Sequence, residues 1–195
     1  DRDTTGGAVL PWVMAERTVG TTTLRGSLGR SAQFIDPLRV GLTSGGLDAE
    51  RARGYDASIE QPLGKGVGVQ ATAFYRDESD VMRRVGEERL DPVTGARIPE
   101  STFPLFATSL SGTSRGVDLL LIRRSPTGLT GWIGYSWAHT HYRDEDSGET
   151  FDGDFDQRHT LNVFAQQRLS YRLAISGKLR IGSNFPIVGY FEGTP

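Results

Sequence analysis

The 195-residue sequence predicts an all-β fold, an antiparallel up-and-down transmembrane β-barrel segment of about eight strands. First, apolar and polar residues alternate with a period of two along successive stretches. Second, short and long connections alternate between these stretches, as in barrels with tight turns at one rim and long loops at the other. Third, aromatic residues lie near both ends of the apolar face, at Tyr55, Tyr75, Tyr135, Trp137 and Tyr171.

The first predicted hairpin lies near the start of the chain. Residues 8–17 form a weak strand candidate, in which Pro11 indicates an edge or a strand start. After a turn around Gly20, a second strand places Leu24, Gly26 and Leu28 on one face. Residues 32–51 contain proline and paired glycines, so we predict a long connection there.

The clearest alternation is the hairpin at residues 55–76. Its first strand carries Tyr55, Ala57 and Ile59 on one face. A Pro-Leu-Gly-Lys-Gly turn at residues 62–66 leads to a second strand, whose apolar face carries Val67, Val69, Ala71, Ala73 and Tyr75. Residues 77–112 are predicted as a long charged connection that contains a tight turn at Asp91–Gly95.

Two more hairpins complete the pattern. The strands of one carry Val117, Leu119 and Leu121, then Leu129, Ile133, Tyr135 and Trp137, with a connection at residues 125–128. The strands of the other carry Leu161, Val163 and Ala165, then Ile175, Leu179 and Ile181. The turn of this last hairpin is predicted to be two or three residues around Ser170, and residues 143–157 form a third long loop.

The composition excludes several classes of protein. The formal net charge of -2 gives no indication of a nucleic-acid surface, and the absence of cysteine excludes disulfides and thiolate metal sites. No apolar run approaches the roughly 20 residues of a membrane helix. Because the chain starts at Asp1 without a signal peptide and stops at Gly-Thr-Pro, we expect a piece of a longer protein.

The third long loop holds the densest acidic cluster, at Asp144, Glu145, Asp146, Glu149, Asp152, Asp154 and Asp156. Carboxylates on a loop are suitable ligands for calcium. However, an EF-hand loop needs glycine at its sixth position and glutamate at its twelfth. Starting at Asp144 these positions hold Glu149 and Phe155, and a start at Asp152 fails as well. We therefore interpret residues 143–157 as a solvated external loop, with ion bridges to lipopolysaccharide as one further role.

The histidines of the sequence are His139, His141 and His159. His139 and His141 share a strand face, and hairpin pairing is one way to bring His159 opposite them. Three imidazoles suit zinc or copper. Parity also places them beside Tyr135 and Trp137, at the rim of the apolar face. We favour a rim role, because imidazole is an amphipathic interface group.

No catalytic arrangement is visible in the sequence. It contains no G-x-S-x-G, P-loop or H-E-x-x-H motif. Close pairs among its 24 acidic residues are expected by chance, so they do not indicate a glycosidase dyad. We predict a protein that is not an enzyme, with no catalytic, cofactor-binding or metal-ligating residues and no cofactor.

Several segments resemble the barrel of TonB-dependent outer-membrane receptors. They are Glu50–Gly64 (E-R-A-R-G-Y-D-A-S-I-E-Q-P-L-G), Ala73–Asp77 (A-F-Y-R-D), Gly112–Leu119 (G-T-S-R-G-V-D-L), Phe155–Asn162 (F-D-Q-R-H-T-L-N) and Arg180–Pro186 (R-I-G-S-N-F-P). In that family such segments mark barrel strands and their rims. Their order matches across most of residues 20–190, and together they are fairly specific.

The resemblance implies that residues 1–195 are a partial barrel domain, about a third of a barrel of about 22 strands with a plugged lumen. The plug domain and the remaining strands are then absent from this segment. The parent receptor would import a scarce ligand across a Gram-negative outer membrane, such as a siderophore, cobalamin or a glycan. Implied partners are TonB, the plug domain, lipid, lipopolysaccharide and the ligand. Ligand contacts are expected in residues 32–51, 77–112 and 143–157 and on the polar lumen face.

Two other hypotheses stay open from the sequence. One is a complete eight-stranded outer-membrane barrel with an adhesin or structural role, whose last strand pairs with its first. The other is a soluble β-sandwich binding module, whose apolar face packs against a second layer. The residues after Ile181 resemble the start of another loop, which favours a larger barrel over a complete small one.

Overall fold

Eleven β-strands are present in the part of the chain that the computed structural model describes, which is residues 8–34, 49–84, 89–90, 94, 96–98, 106–153 and 156–183. They are β1 Trp12–Val19, β2 Thr22–Gln33, β3 Glu50–Gly64, β4 Val67–Arg84, β5 Arg89–Leu90, β6 Arg97–Ile98, β7 Phe106–Arg123, β8 Leu129–Asp144, β9 Thr150–Asp152, β10 His159–Arg168 and β11 Ala174–Gly182. No helix in these residues is long and apolar enough to cross a bilayer, a finding that does not bear on crossing by strands.

The long strands form one antiparallel sheet in the order β1-β2-β3-β4-β7-β8-β10-β11, and β9 pairs with β8. The short strands β5 and β6 pair with each other. In this order each long strand pairs with the long strand that comes next in the chain. The predicted up-and-down topology is therefore confirmed. Within the described residues, β1 and β11 each pair with one neighbour, and the sheet is therefore open rather than closed.

The strand register brings the predicted apolar positions into rows on one side of the sheet, the apolar face. Tyr55 lies opposite Tyr75, with ring centroids 6.4 Å apart, and Leu121 lies opposite Ile133. The large side chains of this face are uncovered; Leu119, for example, is 46% exposed. In the described residues only Ala52 and Leu110 are buried apolar side chains. The sheet is a single layer there, so the soluble-sandwich hypothesis is wrong.

Several strands are longer than predicted. The connection predicted at residues 77–112 is wrong at both ends, because β4 continues to Arg84 and β7 begins at Phe106. In these extensions polar residues lie on both faces, and the period-two signal that marks a strand disappears. The turn predicted at Asp91–Gly95 falls in the sequence between β5 and β6, and its residues other than Thr94 lie outside the described residues. The connection predicted at 32–51 is two residues too long at each end, because β2 ends at Gln33 and β3 begins at Glu50. Residues 35–48 lie outside the described residues.

Tight turns join the strands at one end of the sheet, here called the short-turn end. In the turn between β3 and β4, Gly66 has a φ of 75° and its carbonyl accepts a hydrogen bond of 2.8 Å from the Arg124 amide. A Cβ at Gly66 would lie 2.0 Å from the Arg124 carbonyl oxygen, so only glycine fits. The last turn spans Leu169–Leu173. The predicted turn around Ser170 was too short, because the amides of Leu169 and Ser170 both donate to the Leu173 carbonyl.

Candidate functional site

The side of the sheet opposite the apolar face, here called the polar face, carries hydroxyl, amide and charged groups. Register places there Ser27, Asp56, Gln70, Thr72, Asp118, Ser136, Thr160, Asn162, Lys178 and Arg180. Aromatic rings interrupt it near the short-turn end, where the ring centroids of Trp132 and Phe164 lie 6.4 Å apart. Such a surface offers a passing molecule hydrogen bonds together with patches for apolar contact.

An ion-pair network crosses the first three strands on the polar face. The Arg25 guanidinium of β2 donates to Glu16 of β1 at 2.5 Å and to Glu60 of β3 at 2.9 Å. The Ser27 hydroxyl donates to the Asp56 carboxylate one row further along. The side chains of Arg25, Glu16 and Glu60 are all partly open to solvent, so each of these two ion pairs contributes little to stability. Each of these bonds joins side chains of neighbouring strands, β1 to β2 or β2 to β3.

The strands β3, β4, β7 and β8 extend beyond the aromatic residues at the end opposite the tight turns, and these extensions form the long-connection rim. On its polar face, Arg83 of β4 reaches Asp144 at 2.8 Å and Glu149 at 3.0 Å. The Arg83 guanidinium carbon also lies 5.0 Å from the centroid of the Phe151 ring. The Asp144 side chain is fully buried. One arginine therefore fastens the turn after β8 to the distant strand β4.

Burial alone would raise the pKa of Asp144, but its partners outweigh this effect and lower the pKa below its ordinary value. The partners are the Asp146 amide, the side chains of Ser109 and Ser147, and the Arg83 charge. Asp144 is therefore an anion in the folded protein. Its stabilising contribution is present above its unfolded-state pKa and is lost as the pH falls through the lower folded-state pKa.

A second cluster lies beside Asp144 on the same face. The Tyr142 hydroxyl donates to Glu78 at 3.0 Å, and Glu78 also accepts from Arg76 at 2.6 Å. Burial, followed by the nearby Glu78 charge, raises the pKa of Tyr142 to about 12. The phenol therefore stays protonated and acts as a fixed donor across β4 and β8.

On the apolar-face side of the rim, His139 and His141 converge on Asp152. The distances from Asp152 Oδ1 are 3.0 Å to His139 Nε2 and 3.1 Å to His141 Nδ1. These hydrogen bonds, and then the Arg158 charge, lower the pKa of Asp152 to about 2. Arg158 binds the other oxygen, Oδ2, at 2.8 Å and also binds Asp156 at 2.6 Å.

The structure corrects the predicted histidine grouping. His139 and His141 do share a face at the rim, as predicted. His159, however, lies opposite Trp137, and its Nδ1 is 2.8 Å from the Tyr135 hydroxyl. Asp152, rather than His159, completes the cluster with His139 and His141, because β9 folds back and pairs Asp152 with His141. The predicted loop at residues 143–157 therefore contains a short strand, and the large apolar residue of that strand, Phe151, was the available signal.

A family model described as TonB dependent receptor-like, beta-barrel, matches residues 5–193 of the chain. The chain belongs to this family. No curated protein and no solved structure shows significant similarity to the chain. The family is one of outer-membrane transport proteins of Gram-negative bacteria and is not enzymatic. The predicted fold class, localisation and non-enzymatic character are therefore confirmed, and the small-barrel adhesin hypothesis is set aside.

Because the chain belongs to this family, the orientation of its sheet in the membrane follows from the general architecture of outer-membrane barrels. In outer-membrane barrels short turns face the periplasm and long loops face the outside, while an apolar band flanked by aromatic residues meets lipid. The polar face is then the lumen face, and the long-connection rim is extracellular. Tyr55, Tyr75, Tyr135 and Trp137 form the outer aromatic girdle, and Tyr171 lies beside a periplasmic turn. Of the segments predicted to contact ligand, residues 35–48, 85–88, 91–93, 95, 99–105 and 154–155 lie outside the described residues.

Proposed function

We propose that this chain belongs to a receptor that imports a scarce ligand, such as a siderophore, cobalamin or a glycan, with energy delivered by TonB. The observation that carries the proposal is the family match over residues 5–193. The polar lumen face supports it, because rows of hydroxyl, amide and carboxylate groups run from the extracellular rim toward the periplasmic turns. A polar molecule can exchange hydrogen bonds along such a surface.

We propose that capture takes place at the extracellular connections, in residues 32–51, 77–112 and 143–157. The clusters around Arg83 and Tyr142 support this role, since they hold the bases of two of these connections in fixed positions. Fixed loop bases reduce the conformational entropy that is lost when a ligand is bound. After capture, the ligand passes through the lumen once a plug domain has moved.

We further propose that more strands and a plug complete the barrel. Among the described residues, the outer edges of β1 and β11 have no strand partner. Unpaired backbone groups are costly in hydrocarbon, so these edges need partners within the membrane. The uncovered apolar face and the aromatic girdle are suited to contact with lipid and lipopolysaccharide.

The proposed function is tested by uptake in cells. A strain lacking the receptor is compared with the complemented strain for uptake of ferric siderophores, cobalamin and oligosaccharides, each in the presence and absence of TonB. We expect one ligand class to enter only when both the receptor and TonB are present. Uptake that does not depend on TonB, or no receptor-dependent uptake of any of the three classes, would refute the proposal.

A further inference from the structure

We propose that His139, His141 and Asp152 form a binding site for a divalent transition metal of the zinc type on the outer surface of the extracellular rim. One possible ligand atom from each residue lies within 4.8 Å of those of the other two. The ligand set of two imidazoles and one carboxylate suits zinc and its neighbours rather than calcium or magnesium, which prefer oxygen ligands.

The geometry is close to that of a metal site. Zinc binds nitrogen and oxygen ligands at about 2.0–2.2 Å, so ligands of a tetrahedral ion are roughly 3.4 Å apart. The distances from Asp152 Oδ1 to His139 Nε2 and His141 Nδ1 are 3.0 and 3.1 Å. Movements of a few tenths of an ångström at the carboxylate, and rotation of two partly exposed rings, bring the three atoms around one ion.

The groups around the site hold its carboxylate in place. Arg158 donates to Asp152 Oδ2 at 2.8 Å, which leaves Oδ1 directed at the two imidazoles. Arg158 is itself fixed by Asp156, whose side chain is buried and accepts from the Thr140 amide at 3.2 Å. Such second-shell bonds orient metal ligands and strengthen binding. Three protein ligands leave a fourth position open for water or an external ligand.

The position of the site separates it from ligand import. His139 and His141 lie on the apolar-face side of β8, just beyond Trp137 toward the outside, so they face away from the lumen. Asp152 belongs to β9, which is only three residues long. A bound ion cross-links β9 to β8 and thereby fixes the acidic connection that follows β8. The expected role of the metal is to stabilise this part of the extracellular surface.

The test is a zinc titration of the intact protein in detergent micelles, freed of metal by a chelator, with calorimetric detection. We expect His139→Ala, His141→Ala and Asp152→Asn each to weaken one zinc-binding event by at least about tenfold, since even second-shell losses cost about 10–100-fold. His159→Ala is the matched control and is expected to leave this event unchanged. Calcium and magnesium are not expected to displace the zinc.

Heat-modifiable migration in gel electrophoresis shows that each variant is folded before it is titrated. The proposal is overturned if the folded wild-type protein binds no zinc, or if His139→Ala and His141→Ala bind it as tightly as His159→Ala does. Because the readout is metal binding, these results do not depend on whether the receptor imports the proposed ligands.

Discussion

Replacement of Arg83 by alanine is expected to destabilise the extracellular rim by about 3–5 kcal/mol, the usual cost of removing one partner from a buried ion pair. The Asp144 side chain is fully buried, and the guanidinium of Arg83 bonds to both Asp144 and Glu149. Without Arg83 the Asp144 charge is left with its remaining hydrogen bonds alone. We expect the connection after β8 to become sensitive to protease at lower urea concentrations.

Arg143→Ala is the matched control for this prediction. Arg143 is exposed and lies beside Asp144 in β8, so its loss is expected to change stability by less than about 0.5 kcal/mol. The double variant Arg83→Met with Asp144→Asn removes both charges, and we expect it to recover part of the lost stability. Equal protease sensitivity of Arg83→Ala and Arg143→Ala would show that the buried pair does not hold the rim together.

Leu119→Arg is expected to cost about 2–4 kcal/mol of barrel stability in lipid vesicles, as measured by urea unfolding. Leu119 lies on the apolar face of β7, midway between Arg115 and Arg123. A charge at this depth has no polar partner in the hydrocarbon, and the cost is greatest near the midplane of the bilayer.

The adjacent variant Asp118→Arg provides the comparison, because it places the same side chain one residue earlier on the lumen face. We expect a change of less than about 1 kcal/mol there, since the new guanidinium stays in water. If Asp118→Arg were as destabilising as Leu119→Arg, the two faces of β7 would not differ in their surroundings.

The assignment of faces was predictable from the sequence wherever the strands cross the lipid. A strand has a strict period of two, so the alternation at Val117, Leu119 and Leu121 fixed their common face before any register was known. The aromatic girdle followed from the same parity. Beyond the girdle, water lies on both sides of the sheet, and sequence alternation carries no information about where β4 or β7 ends.

The rim clusters were not predictable, because they depend on register and on irregular backbone. Arg83 and Asp144 are distant in sequence, and β4 shifts register between Glu78 and Val81 before it reaches Arg83. The shared face of His139 and His141 was predicted from their spacing. The third member, Asp152, depends on the pairing of β9, a strand too short to give an alternating pattern.

The apolar face of the sheet meets lipid and the polar face meets the lumen. Trp137 lies on the first face and Trp132 on the second, within the same strand β8. The most direct test uses variants of the intact protein that keep only one of these tryptophans, reconstituted with lipids brominated near the headgroups. We predict strong quenching of Trp137 fluorescence and little quenching of Trp132. Quenching of Trp132 that equals or exceeds that of Trp137 would contradict the account.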